Sequence, residues 1–582
     1  RDPEMSRGLG DVYKRQNQYL IGAGGTGAMC IRAYLCTLAA MQAFEKDNIN
    51  YKVYIRMVDM DDQSDAALKC KELYEAYRNL REQSNALPEV IFESWDFTQA
   101  VKNAAKEHGA DIRNDQSVTL TKLFTPENGA STHTSLLMNT LYTDVELTTT
   151  LEKGFYGHPN IGAAVFNCVR DSFLDVHNSV FMEALVQDLN ALPQGEHVRL
   201  YLFGSLFGGT GASVTPNLVD VLRSLKDPVT NAELGVPEKL SIGAGMMMPY
   251  FKTPVDPAKG AKGTLRPSSA KFMQQTKEAL LYYDKFGLVD KVTSLLLLGT
   301  HELAVTSEIY ARGEKQYQHF HLVLLVAAIG AYRFLNGTLL DPVTNKELHG
   351  ALVWKIAPAG SEFQSVLLSE LGLSGEEKKL DQMLRFCVMV TQFMRERYNH
   401  TDDDLRHYRE VIATSGMPAK GIINHYVPLT QEQLNGNYRE RFSSAGKFCR
   451  FFIQFYFDVA LSGYDWTKYH VHKQNKDGVE EVNEGCKDGN RANSFGLRMT
   501  DLLNVKLADQ LVEQDLGDDT LGKFMLRDLF AYQTVDEKRP MTTDFPQITM
   551  PGLFRDQCEN KFGNQQHNSL ADVYEVLYRA AK

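Results

Sequence analysis

The sequence has no Cys-x-x-Cys pair, no apolar run of membrane-spanning length, no excess of basic residues and no lysine after its glycine clusters. Each absence excludes something. The cysteines at 30, 36, 70, 168, 387, 449, 486 and 558 are scattered, which argues against a zinc ribbon and a disulfide framework and for a reducing cytoplasm. The most apolar stretch, Leu322 to Ala331, is about half the length a bilayer crossing needs. No transmembrane segment is therefore expected, and no signal peptide is visible. With 62 basic against 73 acidic residues, the net charge is −11 and no basic stripe stands out. Direct nucleic-acid binding is not expected of such a surface. The missing lysine rules out the Walker pattern G-x-x-x-x-G-K-[ST], and so a P-loop NTPase. No Gly-x-Ser-x-Gly elbow occurs.

What is present is ordinary globular composition, 43% apolar and 23% charged over 582 residues. That is enough to bury a sizeable core, and the length is that of roughly four domain-sized units or fewer. Arg1-Asp2-Pro3-Glu4 reads as a cloning scar and Met5 to Gln16 as translated adaptor sequence. Residues 1–16 are accordingly set aside as an artefact, with the true start missing. Apolar and β-branched runs predict strands at 18–21, 51–58, 198–203, 240–248 and 292–298. Helical patterns predict helices at 28–44, 214–225 and 268–286, and a polar, mostly helical stretch over 65–105. This alternation implies an α/β fold with a mostly parallel sheet covered on both faces. A long apolar helix is expected at 314–336. Beyond 341 strand signals thin out, helices are expected at 381–397 and 448–461, and a polar, Gly-rich surface loop at 473–493. An octapeptide occurs twice with seven of eight positions identical, DPVTNAEL from Asp227 and DPVTNKEL from Asp341. Its Asp-Pro and Thr-Asn pairs are turn formers, so a reused turn is the plain reading.

Two glycine clusters carry the chemistry. Gly22, Gly24, Gly25, Thr26 and Gly27 stand between a strand and a helix and satisfy G-x-G-x-x-G. Glycines there let the backbone approach a phosphate, and the helix start offers free N–H groups. The pattern fits a dinucleotide, an adenylating enzyme or another nucleotide. Asp59, 32 residues past Gly27, is late for the ribose-binding acid of a dinucleotide fold. The acids Asp59, Asp61 and Asp62 at the strand end are also suited to a hydrated Mg²⁺ near phosphates. Phe207 is followed by the second cluster, Gly208, Gly209, Thr210, Gly211, Ala212 and Ser213, again between strand and helix. Its amides would cradle phosphate, with the hydroxyls of Thr210 and Ser213 as further donors. Two such clusters in one domain are unusual for a dinucleotide enzyme.

The GGTGAS run at 208–213 resembles the glycine-rich signature of the tubulin and FtsZ superfamily. Phe207 replaces the first glycine, and Ala212-Ser213 stands for Ser-Gly. The run 22–28 is similar to that family's first phosphate loop. Asp59 to Gln63 resembles the end of its second strand, with Asp61 on the family acid. Gly154 to Asn160 is similar to the loop that senses the γ-phosphate, Met248-Pro249-Tyr250-Phe251 to the segment after its fifth strand, and Lys271 to Leu298 to the helix and strand before the base loop. The likeness covers about residues 17–340 and is greatest to the large bacterial tubulin-like group.

The resemblance implies a tubulin-like nucleotide-binding domain at 17–313, a core helix and following loop at 314–340, a second α+β domain at 341–470 and a helical C-terminal extension at 471–582. It implies GTP or GDP with Mg²⁺, the metal held through Asp61. Nucleotide contacts would come from the two clusters, Asp61, Gln63, Gly157, Asn160, Pro249, Thr300 and His301. The partner would be a further copy stacked head-to-tail, its loop after the core helix supplying an acid that orients water, with an adaptor possible at the extension. Two departures are visible. The loop reads Asn336 to Asp341, not Asn-x-Asp-x-x-Asp, which leaves Asp341 and Glu347 as the available catalytic acids. The base loop has Thr300 and His301 where the family has Asn, so guanine over adenine is not assured. Two rivals stand: a Rossmann-type NAD-dependent or adenylating enzyme using only the first cluster, and a scaffold that binds nucleotide without hydrolysis.

Overall fold

The computed structural model describes residues 16–45, 51–61, 64–112, 117–124, 133–155, 157–252, 269–300, 304–305, 320–341 and 343–356. It also describes helical residues between 379 and 390 and the helices Tyr438–Ala460 and Leu570–Ala580. The architecture is α/β. Seven strands form one all-parallel sheet: β1 (Gln18–Ala23), β2 (Lys52–Asp59), β3 (Glu89–Asp96), β4 (Val198–Ser205), β5 (Leu240–Met247), β7 (Ser294–Thr300) and β9 (Gly350–Ile356). The spatial order is β3-β2-β1-β4-β5-β7-β9. The two-residue strands β6 (Phe251–Lys252) and β8 (Ala304–Val305) pair beside it.

Alternation along the strands divides the core in two. Leu20, Val53, Ile55, Met57, Tyr201 and Phe203 face one side. There they meet α1 (Gly24–Gln42), α2 (Asp65–Ser84) and α12 (Leu322–Leu335). Tyr19, Ile21, Tyr54, Leu200 and Leu202 face the other. That side is covered by α3 (Phe97–Glu107), α7 (Pro159–Phe173), α8 (Val180–Asn190) and α9 (Gly209–Arg223). Helix α1 is buried on every side apart from Gly25 and Thr26, as its run of Ala, Leu, Met and Cys requires. Pro216 lies inside α9 and has no N–H for the Ala212 carbonyl. The Tyr283 hydroxyl, on α10 (Ser269–Phe286), donates to that carbonyl instead at 2.9 Å.

Several expectations are corrected. The stretch 65–105 is mostly helical, as expected, but it also holds a strand that was not expected, β3, between α2 and α3. The core helix starts at Leu322, because His321 is its extended N-cap; residues 314–319 lie outside the described residues. Strand β9, within the span expected to be a second domain, pairs in register with β7 and belongs to the main sheet. Helix Tyr438–Ala460 begins ten residues earlier than read and packs Phe448 against Tyr77 of α2 and Phe455 against Phe320. Tyr578 of the last helix stacks on Phe44 at 4.6 Å. The loop expected at 473–493 lies outside the described residues. None of the six described cysteines is in a disulfide. Among the described residues no helix is long and apolar enough to cross a membrane.

Candidate functional site

Strands β1 and β4 are neighbours, yet α1 leaves β1 onto one face of the sheet and α9 leaves β4 onto the other. Where connections part this way, a crevice opens at the carboxyl ends of the strands. Both glycine clusters lie there. Gly22 belongs to β1 itself, and a Cβ on it would lie 2.5 Å from Ile31 Cδ1 and 2.9 Å from the Gly27 carbonyl. Gly24 opens α1 with φ +73°, and a Cβ there would come within 3.1 Å of Thr210 Cβ and 3.3 Å of the Gly211 nitrogen. The two clusters therefore touch. A Cβ on Gly209 would in turn lie 2.8 Å from Phe155 Cβ and 3.2 Å from the Gly157 nitrogen. The 154–160 segment thus closes on the second cluster, and Gly154 lies beside Asp61.

Three helix N-termini converge here, those of α1, α7 and α9. Their N-caps are Ala23, His158 and Gly208. None makes a side-chain capping bond, and none of the three first turns holds an acid. Elsewhere in the same protein Ser64, Asp96, Ser179 and His321 do cap their helices. Orphan N–H groups and three positive dipole ends in one crevice suit an anion. Gly25, Thr26, Gly157 and Gly208 are its partly exposed rim.

Asp59 ends β2 beneath this rim. Its Oδ1 accepts from the Asp61 nitrogen at 3.4 Å and from Thr210 Oγ1 at 3.5 Å. Burial, then the charge of Asp61, pushes its carboxyl up to about 7. The sequence reading placed the weight on Asp61; Asp59 is the acid that touches the second cluster, and its position as last residue of a strand was the signal. Tyr250 was passed over too, although it shares a side-chain hydrogen bond with Thr26. Phe207 packs against Tyr250, Phe251 and Phe272, which explains a large apolar residue at the first position of the cluster.

The other expected residues divide. Ser213 Oγ donates to the Gly209 carbonyl at 2.6 Å and the Thr210 carbonyl at 3.2 Å, so its hydroxyl is turned into its own helix rather than outward. Ala212 lies in the first turn of α9. Pro249 follows β5 and is buried. Thr300 ends β7 at the carboxyl end of the sheet, and its buried hydroxyl has no hydrogen-bond partner among the described residues. The exposed Asn160 directs its side chain to Glu146 at 3.5 Å. Gln63 and His301 lie outside the described residues.

Asp341 and Glu347 are at the opposite edge of the sheet. Asp341 Oδ1 accepts from the nitrogens of Val343 (2.9 Å) and Thr344 (2.7 Å), and those bonds hold its carboxyl below the usual range. Glu347 meets Arg199, the second residue of β4, at 2.5 Å. Burial raises the Glu347 carboxyl, and the bond and charge of Arg199 outweigh it, leaving the group below its ordinary value. The eight residues of β4 separate Arg199 from the glycine crevice by about 20–25 Å. Beside Arg199 a cavity of about 630 Å³ opens, lined by Asn17, Gln18, His197, Tyr332 and Asn336 among others. Sequence patterns carry no signal for it, because its walls come from the starts of two strands and the end of α12. No protein-family model matches this sequence, and a search of curated proteins returns no match.

Proposed function

We propose that the chain is a tubulin-like GTP-binding protein that stacks head-to-tail into filaments and hydrolyses GTP where two copies meet. The observation that carries the reading is the contact of the two glycine clusters at the switch point between β1 and β4. On this reading the phosphates lie on the N–H groups of 24–27 and 209–212, and Thr300 lies at the edge where the base is held. The candidate acids are a full strand length away, so no copy can present Asp341 or Glu347 to its own nucleotide. A second copy seated against the crevice can, and such a heterologous contact repeats into a filament. Catalysis of that kind is positioning and charge stabilisation.

The acids fit Mg²⁺. Burial, and after it the charge of Asp61, raises the Asp59 carboxyl, and a hard cation beside the pair would offset both. Asp61 with Asp59 would hold it, and when bound it would neutralise phosphate charge.

A specific observation favours a second reading, a scaffold that binds nucleotide without hydrolysis. Asp341 is engaged in its own turn and Glu347 by Arg199. The Rossmann-type reading also keeps a foothold in the sheet order. Phosphate release from GTP and ATP with Mg²⁺, measured against protein concentration with light scattering, separates these. Turnover per subunit that rises steeply above a threshold, together with scattering, is the expected result. Tightly held nucleotide with no release at any concentration would establish the scaffold instead. Binding of NAD alone would establish the Rossmann-type enzyme.

A further inference from the structure

Among the described residues two histidines are helix N-caps, and they behave differently. His321 accepts a hydrogen bond from the Val323 nitrogen through Nδ1, at 3.1 Å, and so caps α12. His158 occupies the same position on α7 and makes no capping bond. Its Nδ1 lies instead 3.3 Å from Glu146 Oε1. Glu146 belongs to the short helix α6, which follows α4 (Leu120–Phe124) and α5 (His133–Leu141) and spans Asp144–Thr148.

The Glu146 carboxylate is itself fixed. Its Oε2 accepts from the Thr143 nitrogen and hydroxyl, both at 2.9 Å, closing the capping box of α6. Its Oε1 serves His158 and, at 3.5 Å, the Asn160 side-chain amide. Tyr142, next in the chain to Thr143, donates its hydroxyl to the Asn160 carbonyl at 3.0 Å. Burial raises the Glu146 carboxyl, but the Thr143, Asn160 and His158 contacts more than offset it, and the group stays an anion. One carboxylate thus draws both polar side chains of the α7 start away from that helix's own N–H groups. Pro159 has no N–H, so those of Asn160 and Ile161 are the first in the helix. Neither meets a side-chain cap, and both follow closely on Phe155 and Gly157, which touch Gly209 of the second glycine cluster.

We propose that Glu146 is a positioning residue that keeps the N-terminus of α7 open for a phosphate of the bound nucleotide, by holding His158 off it. The inference rests on the nucleotide-binding reading of the crevice. Without the carboxylate, His158 turns onto the first turn of α7 as His321 does on α12, and competes with phosphate there.

The test is calorimetric titration of the full chain with GDP and with a non-hydrolysable GTP analogue. Glu146→Ala is expected to weaken binding of the triphosphate about fivefold, the size of one capping bond. Adding His158→Ala to that variant is expected to restore affinity to within about twofold of the parent. Glu146→Gln, which keeps an acceptor for His158, is expected to stay near the parent. A Glu146→Ala variant with parental affinity overturns the proposal. So does a double variant no better than the single one, since the loss is then plain damage to α6. A parent protein that binds neither nucleotide overturns the reading of the crevice and this role together; a parent that binds while the variants fail the pattern overturns this role alone.

Discussion

Asp341 and Asp227 make the same turn. Each carboxylate accepts from the backbone nitrogens two and three residues ahead, and the fifth residue of each octapeptide, Asn345 or Asn231, has positive φ. Each turn sits on an isolated antiparallel bridge, Lys226 with Glu233 and Leu340 with Glu347. The repeated sequence is therefore a repeated shape, and one copy is a built-in control for the other. An asparagine keeps the accepting oxygen and removes the charge. Asp341→Asn is expected to lower assembly-dependent GTP turnover at least about 100-fold. Asp227→Asn is expected to leave it unchanged, with both melting temperatures within about 3 °C of the parent. Equal turnover in the two variants removes Asp341 from the chemistry.

Thr210→Val separates one nucleotide cluster from two. The swap keeps the side chain's shape and deletes the hydroxyl that faces Asp59. If both clusters hold phosphate, GTP affinity falls about tenfold, as the loss of a bond to a charged site would give. Unchanged affinity, read by equilibrium dialysis, would instead assign binding to the first cluster alone.

His321 gives the protein a pH dependence. Burial lowers its imidazole from the ordinary value to about 4. The unfolded chain binds that proton more readily than the folded one, so the stability this group permits is present above about 6.5 and lost as pH falls toward 4. His321→Asn keeps a capping side chain without a titrating one. Urea midpoints between pH 7 and 4.5 are expected to fall less steeply in that variant, the difference amounting to at most about 3 kcal/mol. Parallel pH profiles would show that His321 is not the group responsible.

Arg199→Gln removes the partner of Glu347 and the donor to the Phe334 carbonyl. A loss of about 1–2 kcal/mol is expected near neutral pH, modest because Glu347 is a third exposed. The Glu347 carboxyl is held below its ordinary value, so its contribution is present above about 4.3 and lost as pH falls below that. The gap between parent and variant in urea unfolding should close over that range. A gap that persists at pH 3 would place the effect in the Phe334 contact.

Much of the sheet was legible because β1, β2, β4, β5 and β7 are nearly all buried, and apolar runs mark such strands. β3 was hidden because it is an edge strand carrying Glu89, Glu93 and Asp96, half exposed. Those charges read as a polar helix when neighbouring periods are helical. β9 was hidden by its position in the chain: only pairing with β7, over fifty residues earlier, makes it a strand. The start of α12 was misplaced because a histidine is not a usual cap signal. Within the crevice, the glycine clusters announced themselves, since strand, glycines and helix follow one another in sequence. Asp59 was legible as a strand-end acid, though not its contact with Thr210; Tyr250, His158 and Glu146 were not, because their relation to the clusters exists only once distant segments are brought together.

The late arrival of β9 bears on how the protein can be divided. A chain cut at 340, just after α12, would leave the outer edge of β7 bare. That edge is Ser294–Thr300, four consecutive leucines among its seven residues. An open, apolar, flat strand is a template for pairing with other chains. Such a fragment would clump through sheet-to-sheet contact and give scattering unrelated to ordered stacking. A fragment carried past Ile356 brings its own cover for that edge.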